Sequence, residues 1–322
     1  MNKMRIGVLR GGPSSEYEVS LKTGGNVLKS LPEKYQPIDI FIDKAGVWHI
    51  QGIPHKPYEA FKKVDAVVNA LHGEYGEDGK VQKILDTFSI PYTGSKTLPS
   101  AIGMNKALAK NIFKSHGIKT PFYKVESKSD DADEIALRLF NTFPMPAVVK
   151  PIASGSSVGV SIAHTFQGLT EALSKAFQYS DKVLVEEYIK GREATCGVVD
   201  KFRGKDFYSL LPIEIIKPEK SDFFDYEAKY CGGSQEICPG NFSQSEKEAI
   251  QNLAIAAHKV LGLRHYSRSD FIISPRRGIY ILEVNTLPGL TAESLLPKSL
   301  NAVGCSLPDF LDHLITLALA GK

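Results

Sequence analysis

The stretch 267–295 constrains the fold of this chain more than any other part of its sequence. It contains two apolar runs, at positions 271–273 and 279–282, and the tetrapeptide PRRG stands between them. A proline, polar residues and a glycine between apolar runs are typical of a tight connection between antiparallel strands. The stretch is therefore predicted to form a β-hairpin.

The predicted register of this hairpin brings four polar side chains onto one face. With the turn centred between positions 276 and 277, Asp270 lies opposite Glu283 and Arg268 lies opposite Asn285. Side chains alternate along a strand with a period of two, so all four project from the same side of the sheet.

The two facing carboxylates, Asp270 and Glu283, indicate a metal site. Like charges directly opposite each other destabilise a ladder unless a cation lies between them. Carboxylate and amide oxygens are the ligands that Mg²⁺ uses together with substrate phosphates and water, so Asp270, Glu283 and Asn285 are predicted to bind metal. The alternative is a solvated edge hairpin whose acids face water. It is disfavoured because the intervening residues are almost wholly apolar, and an uncompensated buried acid pair would be expensive.

Composition narrows the class of protein. The chain has 322 residues, of which 43% are hydrophobic, enough for two or three domains with a large core. Its net charge of +3, from 39 basic and 36 acidic residues, argues against nucleic acid or a membrane surface as partner and favours small substrates.

No run approaches the roughly eighteen apolar residues of a membrane span, and the start does not resemble a signal peptide, so a cytoplasmic protein is expected. The four cysteines show no CxxC spacing and are expected to be free thiols.

The first hundred residues predict a parallel sheet covered by helices. Strands are predicted at Arg5–Leu9, Ile38–Phe41, Ala66–Ala70 and Ile90–Thr93, and helices at Glu16–Leu28 and Lys80–Phe88. The first strand ends in a glycine turn, and the third ends in the glycine-punctuated loop 71–79, positions where such folds place ligands. His72 lies in that loop, and the sequence leaves a structural and a ligand-binding role equally open.

A second unit contains a loop rich in glycine and serine, at 153–160, which follows the predicted strand Ala147–Pro151. Taken alone, such a loop is either an ordinary hairpin turn or a phosphate-binding loop. Unencumbered backbone N–H groups in such a loop suit phosphate oxygens. Lys150, at the end of the apolar strand, needs an anionic partner, and phosphate is the natural candidate. A strand at Pro121–Val125 and helices at Asn105–His116 and Ala132–Phe140 complete the unit.

The third unit opens with a strand at Val183–Ile189, whose backbone is a candidate adenine-binding edge or a plain core strand. The segment 217–240 has neither helical nor strand period, and its aromatic residues favour a lid over the site. Ser243 and Glu246 predict a capping box for a helix that ends before Gly262. A helix at Pro308–Leu319 closes the chain.

Five motifs, in order along the chain, resemble those of D-alanine-D-alanine ligases, members of the ATP-grasp superfamily. They are GGPSSEYEVS at 11–20, LHGEYGEDG at 71–79, VVKPIASGSSVGV at 148–160, DYEAKY at 225–230, and RSDFII with LEVNTLPGLTAESL in the hairpin region. The resemblance spans essentially the whole chain. It implies an α/β amino-terminal parallel-sheet domain (1–102) followed by a two-domain α+β ATP-grasp fold (103–182 and 183–322).

The resemblance also implies a reaction. ATP phosphorylates the carboxylate of one D-alanine, and the amine of a second D-alanine attacks the acyl phosphate to give D-alanyl-D-alanine for peptidoglycan precursor synthesis. The implied cofactors are ATP and two Mg²⁺ or Mn²⁺ ions, and a homodimer is left open.

Site residues follow from the resemblance position by position. Those implied in nucleotide binding are Lys106, Lys150, Lys229, Glu186, Glu187, Ile189 and Glu193. Those implied in catalysis are Glu16, Ser156, Tyr230, Arg268 and the backbone of Gly289, with Glu16 on the first substrate's ammonium and Arg268 and Gly289 on the oxyanion. Those implied in binding substrate carboxylates are His72, Ser294 and Leu295. The implied metal ligands, Asp270, Glu283 and Asn285, coincide with the set derived from the hairpin register.

Three positions depart from the family pattern: Ser154 replaces an acid, Asn105 stands where Asp is usual, and Glu293 stands where His is frequent. None removes a group from this chemistry. Two other functions remain open, a ligase that uses D-lactate or D-serine as second substrate, and a nucleotide-binding relative without catalysis. A binding module would have no need of the oxyanion arginine, which disfavours the second.

Overall fold

The structure is a computed structural model that describes residues 3–128, 131–153, 158–216 and 235–321. Within these ranges, three sheets follow one another along the chain. Ser156, Lys229, Tyr230 and all of the predicted lid except residues 235–240 lie outside the described residues, so the expectations placed on them stay predictions.

The first sheet has the strand order β4-β3-β2-β1-β5. Its elements are β1 (Met4–Gly11), α1 (Tyr17–Ser30), β2 (Tyr35–Ile42), β3 (Trp48–Ile50), β4 (Ile53–His55), α2 (Pro57–Phe61), β5 (Ala66–Asn69) and α3 (Lys80–Thr87). β1 pairs in parallel with β2 and β5, as predicted. At the other edge β3 and β4, which the sequence did not predict, continue the sheet antiparallel to β2, because short turns join them and a parallel pair needs a long crossover. The strand predicted at Ile90–Thr93 is reduced to a single bridge between Val67 and Tyr92.

The second sheet is antiparallel, with the order β6-β9-β7-β8. This region contains α4 (Thr97–Met104), α5 (Lys106–Ser115), β6 (Tyr123–Ser127), α6 (Ala132–Thr142), β7 (Ala147–Pro151), β8 (Ser161–Ala163), α7 (Phe166–Ala176) and β9 (Lys182–Glu187). Helices α6 and α7 pack their apolar faces on this sheet. Since β9 lies inside the sheet, we propose that the boundary between the second and third units falls after residue 187 rather than between residues 182 and 183.

The third sheet has the order β13-β12-β10-β14-β15, and β11 pairs with β10. Its elements are β10 (Arg192–Phe202), β11 (Lys205–Ser209), β12 (Ile213–Ile216), β13 (Gln235–Ile237), α8 (Gln244–Val260), β14 (Tyr266–Ser274) and β15 (Gly278–Asn285). The capping box of Ser243 and Glu246 is confirmed, and Gly262 follows the helix with a positive φ of 64°. Apolar residues of α8 and α5 cover the same face of this sheet.

The hairpin register is confirmed where the site lies. Asp270 pairs with Glu283 and Arg268 with Asn285. Nearer the turn the pairing is displaced by one residue, with Ser274 opposite Gly278, and an irregularity after Asp270 restores the predicted partners. An extra residue of this kind is a β-bulge, which is a common way of directing side chains next to a functional site.

Two further helices, α9 (Leu295–Ala302) and α10 (Leu307–Ala320), join the carboxyl-terminal region to the first sheet. Phe310 and Leu314 of α10 share a buried cluster with Val8 and Val68 of the first sheet. In the described part of the chain no single helix is long and apolar enough to cross a membrane, and α9 and α10, bent by 101°, satisfy that test only as a pair.

Candidate active site

A cavity of about 980 Å³ is lined by residues of all three units. The predicted nucleotide and metal residues in its wall are Lys106, Lys150, Glu193, Asp270, Glu283 and Asn285. The predicted substrate and oxyanion residues in its wall are Glu16, His72, Arg268, Gly289, Ser294 and Leu295. The fold thus brings together twelve residues that the sequence separates by up to 279 positions, from Glu16 to Leu295.

The acid pair on the hairpin is surrounded by donors and cations. Thr195 Oγ1 donates a hydrogen bond of 2.6 Å to Asp270 Oδ1. The guanidinium of Arg268 donates to both oxygens of the same carboxylate, at 3.1 and 3.2 Å. Lys106 Nζ lies 3.5 Å from Glu283 Oε2. The two acids therefore have cationic neighbours on the cavity side, as the repulsion between them requires.

A buried cluster of two lysines and one acid includes Lys150, which lies in the wall of the cavity. Glu186 Oε2 lies 2.6 Å from Lys150 Nζ, and Glu186 Oε1 lies 2.8 Å from Lys110 Nζ. Thr120 Oγ1 accepts a further hydrogen bond of 2.6 Å from Lys110. The sequence assigned phosphate as the partner of Lys150, and the structure supplies Glu186 as well. One carboxylate shared by two ammonium groups leaves one positive charge, which still favours an anion in the cavity.

The charges in this cluster shift each other's titration. Burial alone would raise the pKa of Glu186, but Lys110 and Lys150 hold the pKa of that carboxyl below its usual value. Burial lowers the pKa of the Lys110 ammonium to about 8, and Glu186 opposes that change. Glu186 and Lys110 are therefore predominantly charged near neutral pH.

Three residues predicted in the adenine pocket lie outside the wall of the cavity. The side chain of Glu186 is held by the two lysines, and that of Glu187 binds Arg277 through both oxygens, at 2.8 and 3.0 Å. β9 pairs with β6 up to Glu186 and with β7 up to Glu187, and the N–H groups of Glu187 and Tyr188 donate to the carbonyls of Phe122 and Pro146. A contact between adenine and a backbone N–H of this segment is therefore expected beyond Tyr188, where Ile189 lies.

Glu16 is placed by the turn that follows β1, as the residue before α1. A Cβ atom on Gly73 would lie 2.7 Å from Glu16 Oε2, so this carboxylate is in direct contact with the loop 71–79. Gly73 also has a φ of 68°, which disfavours other residues. Glycine is required here both for space and for backbone conformation.

His72 is buried at the wall of the cavity, with 4% of its surface exposed. Its Nε2 lies 2.9 Å from Thr23 Oγ1 on α1, and its Nδ1 lies 3.8 Å from Glu77 Oε1. The ring is thus held by the protein and faces the cavity, so the structural and the ligand-binding roles left open by the sequence are compatible.

The residues after the hairpin form a small polar turn. Ser294 Oγ lies 2.8 Å from Thr291 Oγ1 and accepts a hydrogen bond of 3.2 Å from the Thr291 N–H. A Cβ on Gly289 would lie 2.8 Å from the same hydroxyl. Ser294 precedes α9 without capping it through its side chain. The first N–H groups of α9, beginning with Leu295, have no partner inside the helix and suit a carboxylate.

Sequence reasoning missed Lys110, Thr195 and Glu77. A signal for Lys110 was present, since it follows Lys106 by four positions and lies on the same side of α5. Thr195 lies on β10 opposite Asp270, a pairing that could not be read from local sequence. Glu77 lies in the motif at 71–79, in which His72 alone is predicted as a site residue.

Comparison with known proteins gives consistent results over the whole chain. A family model described as D-ala D-ala ligase C-terminus matches residues 112–316, and one described as D-ala D-ala ligase N-terminus matches residues 5–60 and 53–95. A D-alanine--D-alanine ligase of Geobacter sulfurreducens is 40% identical over 98% of this chain and 94% of its own length. One from Syntrophobacter fumaroxidans is 40% identical over 98% of both chains.

Solved structures show the same similarity. A D-alanine--D-alanine ligase of Bacillus anthracis complexed with ATP has a TM-score of 0.82 and 33% identity, covering 99% of this chain and 98% of that one. A D-Ala:D-Ser ligase of Enterococcus faecalis has a TM-score of 0.86 and 30% identity, covering 98% and 100%.

The fold and the cavity, taken with these matches, define an ATP-dependent ligase of the ATP-grasp type. Within that class, the chain belongs to the D-alanine-D-alanine ligase family.

Proposed function

We propose that this cavity joins two D-alanine molecules at the expense of ATP, through an acyl phosphate. The observation that carries the proposal is the convergence in one cavity of an ammonium-binding acid, Glu16, two lysines for phosphate, and Arg268 beside the acid pair. Each group is of the type that one stage of the reaction needs.

At the nucleotide end, Lys106 and Lys150 bind phosphate oxygens, and Glu193 on β10 binds the ribose. Asp270, Glu283 and Asn285 fit Mg²⁺ or Mn²⁺, because two carboxylates and an amide on one face form a set of hard oxygen donors. When held by these residues, a metal ion would supply positive charge that offsets the negative charge of the phosphate groups. Ser156 and Lys229, which lie outside the described residues, complete the proposed phosphate contacts.

At the substrate end, Glu16 binds the ammonium of the first D-alanine, and His72 lies near its carboxylate. Transfer of the γ-phosphoryl group to a carboxylate oxygen releases ADP and leaves an acyl phosphate. The second D-alanine is held through its carboxylate by Ser294 and the Leu295 N–H. Tyr230, also outside the described residues, is proposed to connect Ser156 with Glu16.

The amine of the second D-alanine loses a proton and attacks the carbonyl carbon of the acyl phosphate. Negative charge then develops on the carbonyl oxygen, where Arg268 and the N–H of Gly289 are proposed to stabilise it. The C–N bond forms, the bond to phosphate breaks, and inorganic phosphate leaves with D-alanyl-D-alanine. The protein's main contributions are position and charge stabilisation, which dominate phosphoryl transfer.

A second candidate uses D-serine as the attacking amino acid. It is favoured by one observation, the similarity to a D-Ala:D-Ser ligase at a TM-score of 0.86, which shows that the backbone fold does not select between the two. D-alanine is preferred here because the curated relatives at about 40% identity carry the D-alanine name. D-lactate is disfavoured by the lid sequence, because relatives that make D-alanine-D-lactate generally carry a different lid with a histidine near the position of Tyr230.

We propose further that the enzyme is cytoplasmic and has no nucleic-acid or membrane partner, since its proposed substrates are ATP and free amino acids. The proposed reaction is compatible with a homodimer.

We expect the purified protein to release ADP with D-alanine as the only amino acid, and to form a product with the mass of the dipeptide. Competition between equimolar D-alanine, D-serine and D-lactate, read by mass spectrometry, should yield mostly D-alanyl-D-alanine. A mixed D-alanyl-D-serine product in excess would move the second candidate to first place. Nucleotide binding without ADP release would favour the non-catalytic reading.

We expect Gly73→Ala to raise the KM for D-alanine about tenfold or more and to change the KM for ATP much less. The added Cβ would lie 2.6 Å from Ser14 Oγ and 2.7 Å from Glu16 Oε2 and must displace both. The displacement of Glu16 weakens a charge-assisted hydrogen bond of roughly 1.5–3 kcal/mol. Gly52→Ala is the matched control, since Gly52 has a φ of 77° but nothing within 4 Å. Initial rates at varied D-alanine and varied ATP provide the comparison. Equal effects on both KM values would move Glu16 out of the substrate site.

A further inference from the structure

Glu77 is a nearly buried acid to which the proposed reaction assigns no role. It lies in the loop 71–79, and its side chain is 10% exposed. Both of its carboxylate oxygens have partners, and these partners belong to different parts of the molecule.

One oxygen holds the substrate side of the cavity. Glu77 Oε1 accepts a hydrogen bond of 3.0 Å from the Gly73 N–H and lies 3.8 Å from His72 Nδ1. The other nitrogen of His72 is 2.9 Å from Thr23 on α1, the helix that Glu16 precedes. Glu77 therefore fixes the loop that contacts Glu16 and carries His72.

The other oxygen holds the segment that follows the metal hairpin. Glu77 Oε2 accepts hydrogen bonds of 3.2 Å from the Leu287 N–H and 3.4 Å from Thr286 Oγ1. The same Leu287 N–H also donates to Asn285 Oδ1, at 3.1 Å. Glu77 and the proposed metal ligand Asn285 thus share one donor.

This segment has little freedom to move. A Cβ on Gly103 would lie 2.5 Å from a methyl carbon of Thr286, and a Cβ on Gly94 would lie 2.7 Å from a methyl carbon of Leu287. Close packing of this kind transmits a displacement rather than absorbing it. A shift of the loop 71–79 would reach the oxygen of Asn285 through Glu77.

We propose that Glu77 is a positioning residue that couples the D-alanine pocket to the metal and nucleotide pocket. This rests on the proposed function, because it requires that D-alanine binds near His72 and metal near Asn285. A carboxylate accepts hydrogen bonds on both oxygens, whereas an amide accepts on only one. Glu77→Gln should therefore release one of the two sides while it preserves the size of the side chain.

The test measures how far the binding of metal and nucleotide changes the affinity for D-alanine. Calorimetric titration gives the affinity for D-alanine with and without Mg²⁺ and a non-hydrolysable ATP analogue, and electron paramagnetic resonance gives the affinity for Mn²⁺. In the wild-type protein we expect the nucleotide to strengthen D-alanine binding, so that the ratio of the D-alanine affinity with nucleotide to the affinity without it exceeds one. In Glu77→Gln we expect this ratio to fall about fivefold or more, which is within the usual range of coupling between sites. We also expect Mn²⁺ to bind more weakly.

The matched control is Glu74→Gln, which alters an acid in the same loop. Glu74 is 66% exposed and pairs with Lys80 on the surface, so this variant should keep the wild-type ratio. Thr286→Val is a second variant that removes only one donor to Glu77, and a twofold loss of coupling is expected. It carries the test if Glu77→Gln does not fold.

A lower melting temperature in Glu77→Gln with an unchanged ratio would show that Glu77 only stabilises the fold, and would overturn the proposal. So would a wild-type protein in which the nucleotide does not affect D-alanine binding. Failure of the wild-type protein to make dipeptide would instead overturn the proposed function. The two failures are therefore distinguishable.

Discussion

Glu283→Gln is expected to lower turnover about a thousandfold or more. We expect it to lower the affinity for Mn²⁺ by at least a similar factor. Glu283 faces Asp270 across the hairpin and is one of the two negative charges in the proposed metal set. An amide keeps the shape but loses the charge on which a divalent cation depends. The variant also removes the acid that lies 3.5 Å from Lys106, one of the proposed phosphate lysines.

Mn²⁺ affinity by electron paramagnetic resonance and the rate of ADP release provide the two measurements. Glu236→Gln is the control, because Glu236 lines the same cavity but pairs with Lys298 at 2.6 Å, away from the hairpin. It makes the same change in the net charge of the cavity. Wild-type turnover in Glu283→Gln, or full activity in excess chelator, would rule out the metal site.

The hairpin shows which strand pairs can be predicted from the period of two in a strand sequence. The pairs at the site were predictable because apolar runs and a turn sequence define a hairpin, and the period of two then assigns faces. The turn itself is displaced by one residue from its predicted centre. The bulge after Asp270 restores the predicted strand partners, and no local property of the sequence predicts this bulge.

The buried cluster shows where sequence reasoning stops. Lys150 was correctly predicted to need an anion, but its distance of 2.6 Å from Glu186 depends on the antiparallel pairing of β7 with β9. Strand pairing between segments over thirty residues apart is set by tertiary packing. Lys110 could have been found from its helical spacing to Lys106, whereas its partner could not.

The first sheet was likewise predictable only in part. Its parallel core follows from strands that alternate with helices, as the sequence shows. Its antiparallel edge consists of three-residue strands, β3 and β4, which are too short to give a periodic signal. The motif resemblance supplied the remaining site residues, because a ligand set drawn from three units has no local signature.

Arg268→Met is expected to reduce kcat by about a hundred- to a thousandfold and to change the KM values for ATP and D-alanine much less. Arg268 lines the cavity and is oriented by its two hydrogen bonds to Asp270, at 3.1 and 3.2 Å. A donor aimed at charge that develops during reaction acts mainly in the transition state, and loss of one such donor typically has this magnitude. Methionine preserves most of the apolar length of the side chain.

Arg276→Met is the matched control, because Arg276 is exposed at the turn of the same hairpin and loses the same charge. Arg268→Lys separates charge from geometry, since a lysine keeps the charge but lacks the planar fork that binds Asp270 through two nitrogens. We expect it to recover part of the lost kcat. Steady-state rates at saturating ATP and varied D-alanine decide between the roles of Arg268. A kcat within tenfold of the wild type, with a KM for D-alanine that rises instead, would make Arg268 a substrate-binding residue and remove it from the oxyanion site.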